Sequence, residues 1–214
     1  EAFAVGEVQG QAVGILVDLA GPKIRLGELA AEPTQCDVGQ EFRFVPGTKS
    51  NAPDELTCTY PGLLAELSVG DNVMLADGTV SMVVIGKEQG QIRCRVTGSG
   101  PIRSRQGINL PGAKLSVASL TEADMNNAVW AAKNEVDFVS LSFVRKAVDV
   151  LLLKELLKSH GSAAMTIAKI EKPEAVQQIA EIVAAAEGVM VARGDLGVAM
   201  DVAEIAVVQN RIVL

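Results

Sequence analysis

The sequence predicts an α/β fold, part of a (β/α)8 TIM barrel with an inserted small all-β domain. Three observations carry this reading. Beyond Pro111-Gly112, strand-like and helix-like segments alternate at a spacing of roughly 25 residues, the rhythm of βα units on a parallel sheet. Residues 22–107 consist instead of short alternating segments separated by turn signals. The barrel strands also end in polar, chemically active side chains, as barrel strands do at their C-terminal face. No Gly-x-Gly-x-x-Gly follows a strand and no Gly-x4-Gly-Lys-Ser/Thr occurs, so an open nucleotide-binding sheet lacks its fingerprints. The expected organisation is a first part of the barrel in residues 1–21, a β-barrel-like lid domain in 22–107, and a second, incomplete part of the barrel in 108–214.

Residues 1–20 contain a helix-like stretch and then Gly14-Ile15-Leu16-Val17-Asp18-Leu19, an apolar run expected of a strand buried on both faces. Gly21-Pro22 ends it. In the insertion, Asp77-Gly78 between residues 72–75 and 79–85 is a hairpin signature, and Gln89-Gly90 leads into an alternating strand at 91–96. After the insertion, Thr121 starts a helix with Asp124 in the capping-box position, running to about Asn134. A strand follows at 136–142, then a leucine-rich amphipathic helix from Ala147 to Ser159. The next strand covers 165–171. Pro173 opens a helix expected over 174–186, and the last strand is expected over 188–195.

Composition narrows the function. Apolar residues make up 49% and charged residues 21%, which excludes a disordered chain. No apolar stretch approaches the ~18 residues of a membrane span. Nineteen basic against 26 acidic residues give a net charge of −7, and aromatics are only 3%, so neither the basic surplus nor the stacking residues of a nucleic-acid binder are present. Cys36, Cys58 and Cys94 are odd in number and widely spaced. They read as free thiols in a reducing, cytoplasmic setting. His160, the single histidine, reads as a helix-end residue. With no thiol or imidazole cluster, a divalent metal would be a hard cation held by oxygen, Mg²⁺ first. No cleavable signal peptide is visible, and without an initiator Met the sequence is expected to be either cut or incomplete at its front.

Read in order, the strand ends offer Asp18, then Ser142 and Arg145, then Lys169 and Glu171, then Gly194 and Asp195. Glu171 and Asp195 on neighbouring strands could ligate one Mg²⁺ and leave positions open for substrate oxygens. Lys169, two residues from Glu171, points to the same face. A lysine beside a divalent ion suits an anionic transition state, a transferring phosphoryl group or an enolate. Gly194 leaves room for a ligand near the backbone. Taken singly, Ser142 is an ordinary strand-end hydroxyl, Asp18 a turn residue and Arg193 a solvated or interface arginine. The joint occurrence favours a site.

These segments carry a family resemblance. Thr166-Ile167-Ala168-Lys169-Ile170-Glu171 and Val189-Met190-Val191-Ala192-Arg193-Gly194-Asp195-Leu196-Gly197 resemble the active-site strands of the pyruvate kinase family. Asp18-Leu19-Ala20-Gly21-Pro22-Lys23-Ile24-Arg25 resembles the opening into that family's β lid, and Gly107-Ile108-Asn109-Leu110-Pro111-Gly112 the return from it. The resemblance implies a glycolytic, cytoplasmic enzyme that transfers the phosphoryl group of phosphoenolpyruvate to ADP, giving pyruvate and ATP. It further implies Mg²⁺, with Mn²⁺ as a substitute, and a homo-oligomer, a tetramer in the family. Carried over, Lys169 stabilises the transferring phosphoryl group, and Glu171 and Asp195 hold the metal. Lys169, Ser142, Gly194 and Asp195 bind substrate, while Arg25 and Arg105 face nucleotide phosphates.

Three departures qualify the match. At the monovalent-cation region, Asp18, Leu19 and Lys23 stand where many members have Asp, Thr and Glu. The Leu19–Lys23 pairing resembles that of family members that do without K⁺, with a fixed ammonium in place of the bound ion. Activity is therefore expected to be independent of K⁺. The family's lysine before the matched Gly107 is Gln106, leaving Arg105 as the nearest cation. The chain supplies about four of eight barrel strands, and a half barrel with open edges is expected to be neither stable nor catalytically competent alone. Two alternatives stand beside the kinase. One is another Mg²⁺-dependent barrel enzyme forming an enolate, of lyase type. The other is a non-catalytic truncated remnant that pairs with another chain.

Overall fold

A computed structural model describes residues 13–213 except Gln89 and Lys114. The helix-like stretch expected ahead of Gly14 lies outside the described residues. The chain packs as two compact units, one ending at Pro22 and resuming over Ala118–Leu214, the other Lys23–Val117.

The first unit opens with β1 (Leu16–Leu19). The strand is expected to be buried on both faces. Instead Leu16 is 40% exposed and only Leu19 is fully buried, because β1 lies at an edge of its sheet among the described residues.

The second unit is built of β2 (Thr34–Cys36), β3 (Glu41–Phe44), β4 (Glu55–Leu56), α1 (Leu63–Glu66), β5 (Asn72–Leu75), β6 (Val80–Glu88), β7 (Gln91–Gly98), β8 (Gly100–Ile102) and β9 (Ile108–Asn109). Six strands form one sheet in the order β4-β3-β7-β6-β5-β9, and β2 pairs with β8. The Asp77-Gly78 signal becomes the turn between β5 and β6, with Ala76, Asp77 and Gly78 all at positive φ. Alternation along β6 and β7 buries Val80, Met82, Val84, Ile92, Cys94 and Val96 on one face, against Phe42, Phe44, Leu56 and Leu75. Burial pushes the Cys36 thiol up to about 11 and the Cys94 thiol to about 12, so both behave as core residues. The sequence reading ends this domain at residue 107. In the structure β9 pairs with β5, and Ile108 and Leu110 are buried in the same core, which keeps the segment up to Val117 in this unit.

The first unit resumes with α2 (Glu122–Lys133), β10 (Phe138–Leu141), α3 (Ala147–Ser159), β11 (Met165–Ile170), α4 (Pro173–Gln177), α5 (Ile179–Ala185), β12 (Gly188–Val191), α6 (Arg193–Ala199) and α7 (Val202–Val213). Among the described residues this unit has four strands, all parallel, in the order β1-β10-β11-β12, as expected of part of a (β/α)8 barrel. The capping box closes as its residues dictate. Thr121 Oγ1 accepts from Asp124 N–H at 3.1 Å, and Asp124 accepts from Thr121 N–H at 3.0 Å. Asp124, almost fully buried, also accepts from Gly21 N–H at 3.2 Å and so ties this helix to the end of β1.

Two expectations need correction. The helix expected over 174–186 is two helices, broken at Gln178, which caps both. The last strand stops at Val191. Arg193, Gly194 and Asp195 are the first turn of α6, where an acidic side chain suits the helix dipole and Leu196 is buried. The strand ends there because Ala192 makes the final ladder bond, N–H to Ile170 carbonyl at 3.1 Å. His160 caps the end of α3, as a helix-end residue should.

The start of β11 is fastened to the loop before β12 by Glu187, which accepts from Thr166 N–H at 2.8 Å and from the Thr166 hydroxyl, and pairs with Lys154. Burial alone would raise the carboxyl. Hydrogen bonds from Lys154 and Thr166 outweigh it and hold the pKa at about 2, against 4.5 ordinarily. A depressed carboxyl stabilises the fold above its unfolded value and loses that contribution as pH falls through the folded one. In the protein that carries this sequence, Glu187→Gln is therefore expected to lower the melting temperature at pH 6, by roughly 2–4 °C per kcal/mol lost. The deficit should shrink between pH 4.5 and about 2 in thermal melts. A deficit that does not change with pH would remove the carboxylate's charge from the account.

Candidate active site

Parallel register brings three strand ends together. Asp18 of β1 lies opposite Ser140 of β10, and Leu141 lies opposite Ala168 of β11, so residues just beyond these pairs meet. Along β11, Thr166, Ala168 and Ile170 are buried, which turns Lys169 to the opposite face. The Lys169 ammonium is only 14% exposed. It lies 3.0 Å from Glu171 Oε1 and 3.1 Å from Asp18 Oδ2, and donates to Ser142 Oγ at 2.9 Å. Ser140 Oγ donates to the other Asp18 oxygen at 2.6 Å. Burial would lower the Lys169 pKa, but the hydrogen bonds and charges of Glu171 and Asp18 outweigh it and raise it above 10.5. The lysine stays charged at neutral pH.

Four of the residues singled out in the sequence, Asp18, Ser142, Lys169 and Glu171, thus form one connected network. Glu171 is 3% exposed and both its oxygens are engaged, Oε1 by Lys169 and Oε2 by Phe143 N–H at 3.0 Å. Phe143 has φ +57, and its ring packs where a side chain on Gly21 would stand. A Cβ there would come within 2.8 Å of Phe143 Cδ2. The Lys172 ammonium sits 5.0 Å from the centre of the same ring. Burial pushes this lysine down, against the opposing charges of Glu174, Glu171 and Asp195. Sequence reasoning missed Phe143 and Lys172, since no motif announces a left-handed turn at a phenylalanine. Arg145, named with Ser142, donates to Ser119 Oγ at 3.3 Å.

Gly194 and Asp195 are exposed in the first turn of α6, not at a strand end. A Cβ on Gly194 would meet nothing within 4 Å, so internal packing does not require glycine there. As a donor set for a divalent cation, Glu171 and Asp195 are hard carboxylates, and each Glu171 oxygen keeps a lone pair beyond its present bond. Among the described residues no group of three metal-ligating side chains forms. Two carboxylates, completed by water and substrate phosphate, fit the habits of Mg²⁺. Leu19 is 1% exposed in the hydrophobic core, and its side chain offers no ligand atom to a monovalent cation. Lys23 is exposed and belongs to the other unit.

In that unit, pairing of residues 24–26 with 105–108 brings Arg25 and Arg105 together. Arg25 bridges Gly107, and its Nη1 donates to the Arg105 carbonyl at 3.1 Å. Both line a cavity of about 570 Å³ with Gly27, Thr48, Lys49 and Thr59. Glu28 pairs with Arg105 at 3.6 Å. Lys49 is a third cation here, which the sequence reading did not single out. The parallel bridge of Glu28 to Lys49 delivers it, a long-range pairing invisible in local pattern.

A parallel βα sheet with a Lys–Glu pair at one strand end, an aspartate beyond the next strand and an inserted β unit places the chain in a class, the α/β barrel proteins with an inserted β domain. The family model described as pyruvate kinase, barrel domain, matches residues 2–214, and the chain belongs to the pyruvate kinase family. A pyruvate kinase of Mycobacterium intracellulare is 42% identical over 205 residues, covering 96% of this chain and 43% of that protein. One from Geobacillus stearothermophilus is 36% identical over 207 residues, 95% of this chain and 35% of that protein. The crystal structure of a pyruvate kinase from Cryptosporidium parvum superposes with a TM-score of 0.90 at 30% identity, covering 99% of this chain and 45% of that one. The chain therefore spans less than half the length of these relatives. No helix among the described residues is long and apolar enough to cross a membrane.

The network orders its members energetically. Removing Glu171 strands a mostly buried ammonium and a backbone N–H, whereas Asp18 is 51% exposed and water can replace it. Glu171→Ala is expected to cost about 3 kcal/mol, and Asp18→Ala about 1 kcal/mol or less. Denaturant unfolding in metal-free buffer measures both, and equal losses would contradict the ranking.

Proposed function

We propose that this chain forms part of the phosphoryl-transfer site of a glycolytic, Mg²⁺-dependent pyruvate kinase, which moves the phosphoryl group of phosphoenolpyruvate to ADP and yields pyruvate and ATP. The observation that carries the reading is the charged, mostly buried Lys169 ammonium held by acceptors from three neighbouring strand ends. Phosphoryl transfer demands little covalent chemistry of the protein. It needs positioning and neutralisation of charge on the equatorial oxygens. A fixed ammonium in a site largely shielded from water supplies that neutralisation with little reorganisation.

An ammonium has three N–H donors, and Asp18, Ser142 and Glu171 each offer an acceptor within 3.1 Å. To reach a phosphoryl oxygen, Lys169 must exchange one of them. Asp18 is the cheapest to release, because its half-exposed carboxylate is readily rehydrated. As the phosphorus–oxygen bond of phosphoenolpyruvate breaks, the phosphoryl group passes to a terminal oxygen of ADP. The enolate left behind takes a proton at carbon to become pyruvate. Glu171 and Asp195 would hold Mg²⁺, or Mn²⁺ in its place, which when bound supplies Lewis-acid neutralisation of phosphate and enolate oxygens. Arg25 and Arg105, joined by Lys49, would face the nucleotide phosphates. With no side-chain oxygen at Leu19 and an ammonium at Lys23, this reading carries no requirement for K⁺.

The assay is ADP-dependent pyruvate formation by the protein that carries this sequence. Lys169→Met is expected to lower kcat by about 10²–10³-fold. Arg25→Ala should raise KM for ADP while leaving KM for phosphoenolpyruvate within about twofold. Chelation should abolish turnover, with Mg²⁺ or Mn²⁺ restoring it, and rates in Na⁺ and K⁺ should match. Pyruvate formation without ADP would favour lyase chemistry, and a requirement for K⁺ would contradict the reading of Leu19 and Lys23.

A further inference from the structure

Phe143 occupies a conformation that a residue with a Cβ rarely adopts, at φ +57, immediately after the serine that accepts from Lys169. Something must hold it there. Its N–H donates to Glu171 Oε2 at 3.0 Å, and its ring fills the space left by the missing side chain of Gly21. Beside that turn stands Lys172, the residue next to Glu171, whose ammonium lies 5.0 Å from the ring centre. The charges of Glu174, Glu171 and Asp195 act on that ammonium, and the Phe143 ring is the group it lies over. Two consecutive residues therefore grip Phe143, Glu171 at the backbone and Lys172 at the ring.

We propose that Lys172 is a positioning residue, its ammonium clamping the Phe143 ring so that the Phe143 N–H orients the Glu171 carboxylate for a divalent cation. The inference rests on the reading of Glu171 as a metal ligand. A carboxylate with no second anchor could rotate toward Lys169 with both oxygens. The N–H holds one oxygen away, which leaves the pair of lone pairs in a defined direction. The N–H stays in place only while the left-handed turn persists, and the cation over the ring favours that turn.

The test is Mn²⁺ binding to the protein without substrates, followed by electron paramagnetic resonance of the free ion, with thermal melts in parallel. Lys172→Met is expected to weaken Mn²⁺ binding by about tenfold. Lys172→Arg, whose guanidinium still stacks on the ring, should stay within about twofold of wild type. Phe143→Leu should weaken binding as Lys172→Met does, and the double variant should be no weaker than the poorer single one, because both remove one contact. Wild-type binding in Lys172→Met, equal losses in Met and Arg variants, or additive losses in the double variant would overturn the clamp. If Lys172→Met loses its fold, the Arg variant and Phe143→Leu still decide the question. Failure of the underlying reading looks different, since wild type itself would then not bind Mn²⁺, and the clamp would fall with it.

Discussion

A charged lysine that has little contact with water must find its partners inside the protein, and the sheet is arranged around that need. Lys169 is 14% exposed, and its acceptors come from β1, from the turn after β10 and from the end of β11. A shift of one residue in the register of any of these strands would turn its side chains to the other face and strand the ammonium. The desolvation cost of an unpaired charge is large enough to make such shifts prohibitive. The same interaction that keeps the Lys169 ammonium charged thus also specifies how three parallel strands align.

Glu171 extends this constraint outward. It is the counter-ion of Lys169 and also the acceptor for a backbone N–H in the turn beyond β10, so the conformation of Phe143 is coupled to the charge of the site. Gly21, where the chain leaves β1, makes the space for the Phe143 ring. Its own N–H is held by the buried Asp124, which also caps α2. One chain of contacts therefore links a helix cap to the candidate catalytic lysine. Hydrophobic burial supplies most of the stabilisation, in two separate cores, and the polar chain decides which geometry that burial supports.

Much of this was legible in sequence. The period of the β11 strand, the Thr121–Asp124 cap and the Asp77-Gly78 turn each depend on residues close in the chain, and local sterics and hydrogen bonding decide them. Lys169 and Glu171 were legible as a pair because a two-residue spacing on a strand puts both on one face. Asp195 was misplaced within its element. An apolar run ending in Arg-Gly-Asp reads as a continuing strand, yet the backbone leaves the ladder at Ala192 and the buried Leu196 draws the next turn into a helix. The burial of β1 on both faces was misread for a related reason, since burial depends on which strand lies beside it.

By itself the sequence determined the alternation of βα units, the inserted β unit, the family, and the residue types available for chemistry. The family rests on the resemblance of the motifs around Lys169, Glu171 and Asp195, and the other properties follow from composition, periodicity and local spacing. Only the tertiary structure decided that Asp18, 151 positions from Lys169, is its partner, that Arg25, Lys49 and Arg105 share one cavity, and that Phe143 and Lys172 touch beside Glu171. The physical reason is that these pairings depend on strand register and on turns with unfavourable dihedrals. Both are selected by the summed burial and charge pairing of distant segments, which no local stretch of chain encodes.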